Sequence, residues 1–159
     1  MATTEIERKF LVTDLGWKRH SQGRRYRQAY LSTDSQRVVR VRVVDDDAWL
    51  TIKGQTSGIS RLEFEYAIPV KDAEVMLQSL CHQPIIDKTR YLFKHGDHTW
   101  EIDEFHGANE GLVVAEIELD SEDEHFERPG WLGKEVSGDS RYFNSSLVAH
   151  PYREWSEHQ

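Results

Sequence analysis

Glu5-Ile6-Glu7-Arg8-Lys9-Phe10 alternates so that Glu5, Glu7 and Lys9 fall on one side of an extended backbone, with Ile6, Arg8 and Phe10 on the other. That period of two recurs along the chain. Arg40 and Arg42 oppose Val39, Val41 and Val43, and Lys53 opposes Leu50 and Ile52. Arg61, Glu63 and Glu65 face away from Leu62, Phe64 and Tyr66. Lys88 and Arg90 oppose Tyr91 and Phe93, Glu101 and Asp103 oppose Trp100 and Ile102, and Glu116 and Glu118 oppose Ala115, Ile117 and Leu119. The spacing predicts strands near 4–12, 24–32, 37–44, 48–53, 60–68, 86–94, 98–105, 112–120 and 132–137.

Turn-forming clusters separate these segments: Ser32-Thr33-Asp34, Asp45-Asp46-Asp47, Lys53 through Gly58, His95-Gly96-Asp97 and His106 through Asn109. Two helices are expected. One is capped by Asp72, carries Ala73, Met76, Leu77 and Leu80 on one stripe, and is bounded by Pro84; Cys81 is read as part of its apolar stripe. The other starts at Asp139 or Ser140 and carries Tyr142, Phe143 and Leu147 before Pro151. The acidic run Asp120 to Glu127 reads as a solvated loop or short helix, and the tail with Tyr152 and Trp155 as a docked segment or a plug.

Nothing in 159 residues marks a domain boundary, so residues 1–159 are expected to form a single domain. A net charge of −8 argues against a nucleic-acid surface, though not against a local basic pocket. Cys81 alone permits neither an intramolecular disulfide nor a cysteine-based zinc site, and the His residues lack ligand spacing. No segment has the length of a membrane span or the apolar core of a signal peptide, and the expected location is cytoplasmic. Lys53 through Gly58 lacks the order of a phosphate loop and reads as a hairpin turn.

Any one of these strands is compatible with an ordinary half-solvated sheet bearing cross-strand ion pairs. Seven of them, grouping like charges such as Glu63 and Glu65 on one face, call for a ligand that neutralises both signs. If the sheet closes, the charged face becomes a lumen and the apolar outer face needs cover, in part from the two helices. Such a lumen holds eight carboxylates (Glu5, Glu7, Glu63, Glu65, Glu101, Asp103, Glu116, Glu118) and seven cations (Lys9, Arg40, Arg42, Lys53, Arg61, Lys88, Arg90). Carboxylates suit hard divalent cations and guanidinium forks suit phosphate oxygens. The faces of Gln28 and Tyr30 stay open.

The E-x-E-x-K opening at Glu5, Glu7 and Lys9 resembles the signature of the CYTH superfamily, the triphosphate tunnel metalloenzymes. The later order agrees over nearly the whole chain: Arg40-Val41-Arg42, Thr51-Ile52-Lys53, Arg61 to Glu65, Lys88 to Tyr91, Trp100 to Asp103 and Glu116 to Glu118. Arg27 to Leu31 and Trp131 to Tyr142 look most like the short bacterial tripolyphosphatase branch. The resemblance implies a mainly β fold, an eight-stranded closed antiparallel β-barrel tunnel with a few flanking helices. It also implies hydrolysis of a linear triphosphate, inorganic tripolyphosphate first, by a metal-activated water.

On this reading Glu5, Glu7, Lys9 and Lys88 are catalytic, and Lys9, Arg40, Arg42, Lys53, Arg61, Lys88 and Arg90 bind substrate. Glu5, Glu7, Glu63, Glu65, Asp103, Glu116 and Glu118 hold Mg2+ or Mn2+. Arg61 either contacts phosphate or pairs with Glu63 or Glu65. The expected partner is a small-molecule triphosphate, with no nucleic acid and no membrane; uncovered outer surface would favour a homodimer. The alternatives are a class IV adenylate cyclase, which needs an adenine pocket, a thiamine triphosphatase, and a non-catalytic polyphosphate or nucleotide-binding module. A lipocalin-like binder fits a charged lumen poorly.

Overall fold

The opening stretch forms β1 (Ala2–Val12), which is long enough to serve three partners. Ala2 to Ile6 pair with β5 (Ser60–Ile68), Glu7 to Leu11 with β8 (Val113–Glu118), and Phe10 and Val12 with β9 (Leu132–Glu135). The other strands are β2 (Gly23–Ser32), β3 (Arg37–Val44), β4 (Asp47–Gly54), β6 (Ile86–His95) and β7 (His98–Phe105). This computed structural model describes residues 2–155.

The sheet order β5-β4-β3-β2-β6-β7-β8-β1, with β5 returning to β1, closes an antiparallel ring of eight strands. Closure removes the sheet edges and turns one face of every strand inward. β9 follows β5 along the same edge of β1 and lies outside the ring. Tight connections keep neighbouring strands in register. Asp45, the first residue of the β3–β4 turn, has φ 53, a left-handed conformation that aspartate tolerates better than most residues.

Three apolar clusters wrap the ring. Helix α1 (Val70–Ser79) lays Ala73 and Leu77 on Ala29, Val41, Val43 and Ala48, with Cys81 completing the patch. The expected cap is displaced: Pro69 occupies the N-cap position, Asp72 sits in the first turn, and Leu80 is exposed. Cys81 is buried as expected but lies past the helix end.

The outer face of β7, β8 and β1 is covered by no helix of the expected pair. Trp17, in a 3-10 turn, joins Phe126 from the acidic segment and Trp131 just beyond it over Phe10, Trp100, Ile102, Ala115 and Ile117. The acidic run is a solvated loop as expected, but Phe126 turns inward from it and pins residues 120–131 as a strap across β1: its ring meets Phe10 and Trp100 edge-on, with centroids 6.1 and 5.6 Å apart. The outer face of β4 and β5 keeps Ile52, Leu62 and Tyr66 exposed.

The third cluster seals one end of the barrel. There the inward positions change from charged to apolar, and Tyr30, Val38, Ile86 and Val114 pack on Tyr142, Leu147 and Val148. The expected second helix is split: Asp139 caps a 3-10 turn at Ser140–Tyr142, and α2 (Asn144–Ala149) follows. Tyr152 and Trp155 dock against this plug, so among the described residues the tail supports the seal from outside the tunnel. Among the described residues no helix is long and apolar enough to cross a membrane.

Candidate active site

The lumen is a cavity of about 320 Å³. Its wall includes Glu5, Glu7, Lys9, Arg40, Arg42, Lys53, Arg61, Glu63, Glu65, Lys88, Arg90, Glu116 and Glu118, as the two-residue parity requires. Thr56, Gly58 and Ile59, from the turn between β4 and β5, also border it. Charges of the two signs are not mixed at random within this space.

Carboxylates gather where β1 and β8 pair. Glu7 stands directly opposite Glu118, and one oxygen each from Glu5, Glu7 and Glu118 lies within 4.8 Å of the others. Burial, reinforced by Glu116 and Glu5, pushes the Glu7 carboxyl up to about 8. Burial and the neighbouring carboxylates, Glu101 and Glu5 first, raise Glu118 to about 7. Burial also raises Glu63, whereas Glu5 is held below its ordinary value because Lys53 and Arg61 outweigh burial. Three converging carboxylates that resist ionising together fit a hard divalent cation, which supplies the missing positive charge.

Cations line the rest of the lumen, with Lys9 and Lys53 next to the carboxylates, and differ in how firmly they are held. Arg90 donates from Nε to Asp103 Oδ1 at 2.7 Å and from Nη2 to Oδ2 at 2.9 Å, and reaches Glu101 at 3.1 Å and Glu116 at 3.2 Å. Lys88 donates to Asp103 at 2.7 Å and to Asn144 Oδ1 at 3.0 Å. Burial draws the Lys88 ammonium down to about 7 against the pull of Asp103, while Arg90 and Lys88 overcome burial and hold Asp103 far below the carboxylate range. Lys9 pairs with Glu116 at 3.4 Å and donates to the Tyr142 carbonyl at 3.0 Å. Lys53 bonds both Glu5 oxygens, at 3.1 and 3.2 Å.

Two arginines keep unused capacity. Arg42 donates to Gln28 Oε1 at 2.9 Å, and among the described residues no carboxylate lies within ion-pair reach of it. Burial, with Arg40 and Arg90 nearby, lowers it to about 10. Arg40 touches Thr51 and Glu65, yet its buried Nε has no partner. A buried donor left unpaired is costly, and an anion in the lumen would satisfy it.

Asp103 is placed differently from the other expected site residues. It shares their parity but lies behind the wall, fully buried, with both oxygens engaged by Lys88 and Arg90. Arg61 pairs with Glu5 at 3.3 Å, not with Glu63 or Glu65, because the β1–β5 register sets it opposite Glu5. Tyr26, Gln28 and Tyr30 all line the lumen, which settles the open face of β2. Asn144, whose Oδ1 accepts from both Gln28 and Lys88, carried no sequence signal. It belongs to the plug, which only tertiary packing brings to the barrel end.

Comparison with known proteins agrees with this geometry. The CYTH domain family model matches residues 3–152. The chain is 52% identical to an "inorganic triphosphatase" of Acetivibrio thermocellus, over 96% of this chain and 98% of the relative. It is 38% identical to an "inorganic triphosphatase" of Nitrosomonas europaea, over 91% and 97%. The solved structure of the inorganic triphosphatase NE1496 is similar with a TM-score of 0.64 and 35% identity, covering 90% of this chain and 96% of that one.

Proposed function

The chain belongs to the CYTH domain family, and on that premise we propose that it is a hydrolase of phosphoanhydride bonds, cleaving a linear triphosphate, inorganic tripolyphosphate foremost. The observation that carries this reading is one closed lumen in which a three-carboxylate cluster is lined up with cations that keep spare capacity: Arg40 Nε is buried without a partner, and Arg42 has, among the described residues, no carboxylate within ion-pair reach. Neither half is self-sufficient, and a metal–triphosphate complex completes both.

Glu5, Glu7 and Glu118 hold the divalent cation, Mg2+ or Mn2+, with Glu63, Glu65 and Glu116 beside them. When bound, the cation neutralises phosphate oxygens and activates water. Lys9, Arg40, Arg42, Lys53, Lys88 and Arg90 grip the phosphate chain, spreading its charge and favouring the more anionic transition state. Asp103 and Arg61 position neighbours: Asp103 orients Lys88 and Arg90, and Arg61 orients Glu5. With the chain held, water attacks the terminal phosphorus in line as the bridging phosphoanhydride P–O bond breaks; phosphate and the shortened chain, pyrophosphate from tripolyphosphate, leave, the water's proton passes to solvent, and no covalent enzyme intermediate is needed. The plug closes one end, which suits a short linear chain.

The test is phosphate release from tripolyphosphate, ATP and thiamine triphosphate with Mg2+, Mn2+ or EDTA, monitoring cyclic AMP in the ATP samples. Metal-dependent release from tripolyphosphate well above the others is expected. Cyclic AMP would move the chain to a cyclase, and tight binding without turnover would make it a polyphosphate-binding module.

A further inference from the structure

Building on the triphosphate reading, we propose that Tyr26 is a positioning residue whose ring face, rather than its hydroxyl, sets Arg42 and Arg90 as a matched pair of phosphate-binding arms. Tyr26 sits on β2, between β3 and β6, half-buried in the lumen wall. One guanidinium reaches its ring from each neighbouring strand. Arg42 Cζ lies 5.0 Å from the ring centroid and Arg90 Cζ lies 4.9 Å from it, both within cation–π range.

The register explains the convergence. Tyr26 stands opposite Lys88 on β6, which leaves Arg90 on the diagonal; Gln28 stands opposite Arg42 on β3, which puts Arg42 on the diagonal to Tyr26. Long side chains meet across such diagonals. The two arms have unequal support. Arg90 is anchored by Asp103, Glu101 and Glu116, whereas Arg42 has, among the described residues, one hydrogen bond, to Gln28, and the Tyr26 ring. Replacing the ring by an aliphatic chain removes an attraction from each arm and falls hardest on Arg42.

Tyr26→Phe, Tyr26→Met and Tyr26→Leu, in wild-type and Arg42→Gln backgrounds, provide the test. Tripolyphosphate binding is read by calorimetry in EDTA and with Mg2+, turnover by steady-state kinetics, and folding by Tm on the same samples. Tyr26→Phe should stay within about twofold of wild type in Kd, KM and kcat. Tyr26→Met and Tyr26→Leu should weaken binding and raise KM about tenfold, the scale of two partly exposed cation–π contacts, with kcat within about threefold. In the Arg42→Gln background the further loss from Tyr26→Met should shrink below about threefold.

An unchanged KM in a folded Tyr26→Met protein would overturn the proposal, as would a Tyr26→Phe defect equal to that of Tyr26→Met, or a tenfold loss that persists without Arg42. Tyr26→Met keeps most of the side-chain volume and remains informative if Tyr26→Leu does not fold. Wild-type protein that binds tripolyphosphate without cleaving it would refute the triphosphatase reading while the binding series still decides the role of Tyr26. Absence of wild-type binding would overturn both.

Discussion

Asp103→Asn should destabilise the protein without acting through the metal. The substitution keeps the side-chain shape and removes one charge from a residue with no solvent exposure that receives three hydrogen bonds from two cations. Whichever way the amide turns, its NH2 group faces a donor, and Lys88 and Arg90 lose their shared counter-ion. Removing one partner of a buried ion pair costs about 3–5 kcal/mol. Glu116 still reaches Arg90 at 3.2 Å and Asn144 still accepts from Lys88 at 3.0 Å, which favours the lower end of that range. For a chain of this length about 3 kcal/mol corresponds to a fall in Tm of roughly 6–12 °C. The assay is thermal and urea unfolding in EDTA near neutral pH, with two spectroscopic probes checked for coincidence. A fall in Tm below about 3 °C, or reduced Mg2+ affinity at unchanged Tm, would refute the counter-ion role and return Asp103 to the metal ligands. The wild-type contribution should persist through the mildly acidic range. A carboxyl held far below its unfolded value stabilises above that value, and the stability is lost only as pH falls through the folded one.

Glu7→Gln and Glu118→Gln should each abolish most metal-dependent turnover and weaken Mg2+ or Mn2+ binding at least tenfold with the barrel intact; calorimetry and circular dichroism would read both, and full activity in the pair would sink the metal assignment. Without metal, Glu7 near 8 and Glu118 near 7 carry protons over much of the neutral range. Cation binding therefore expels protons, and its affinity should rise from about pH 6 to about pH 8 and then level. Calorimetry in two buffers of different ionisation enthalpy counts the protons released, and a flat affinity profile would contradict the raised carboxyls. Phe126→Ala should cost about 3 kcal/mol in urea unfolding because the ring is buried on Phe10 and Trp100. A cost under about 1 kcal/mol would mean that the strap is not part of the core.

The acidic run from Asp120 to Glu127 illustrates where local reading ends. Its charges are solvated as their pattern implies, but Phe126 is recruited by an apolar face of β1 and β7 left bare by both helices. No local property of the segment encodes that demand. The plug is similar: Tyr30, Val38, Ile86 and Val114 occupy lumen-side positions on four strands, and their shared need for cover appears only after those strands are side by side.

Alternation of charged and apolar residues is a local property, because successive side chains in a strand must point to opposite faces. The sequence by itself therefore determined the strands, the inward set from Glu5 to Glu118 and the two signs of the lumen. Tertiary structure alone decided the partners. Glu101 and Asp103 have the same parity on the same strand, yet Glu101 lines the cavity and Asp103 is buried behind it. Strand register and barrel closure, both long-range, set how deep each charge lies and which opposite charge it meets. The same long-range packing made Glu5, Glu7 and Glu118 one cluster, left Arg42 with no carboxylate in ion-pair reach among the described residues, and brought Asn144 from the far end of the chain to Lys88.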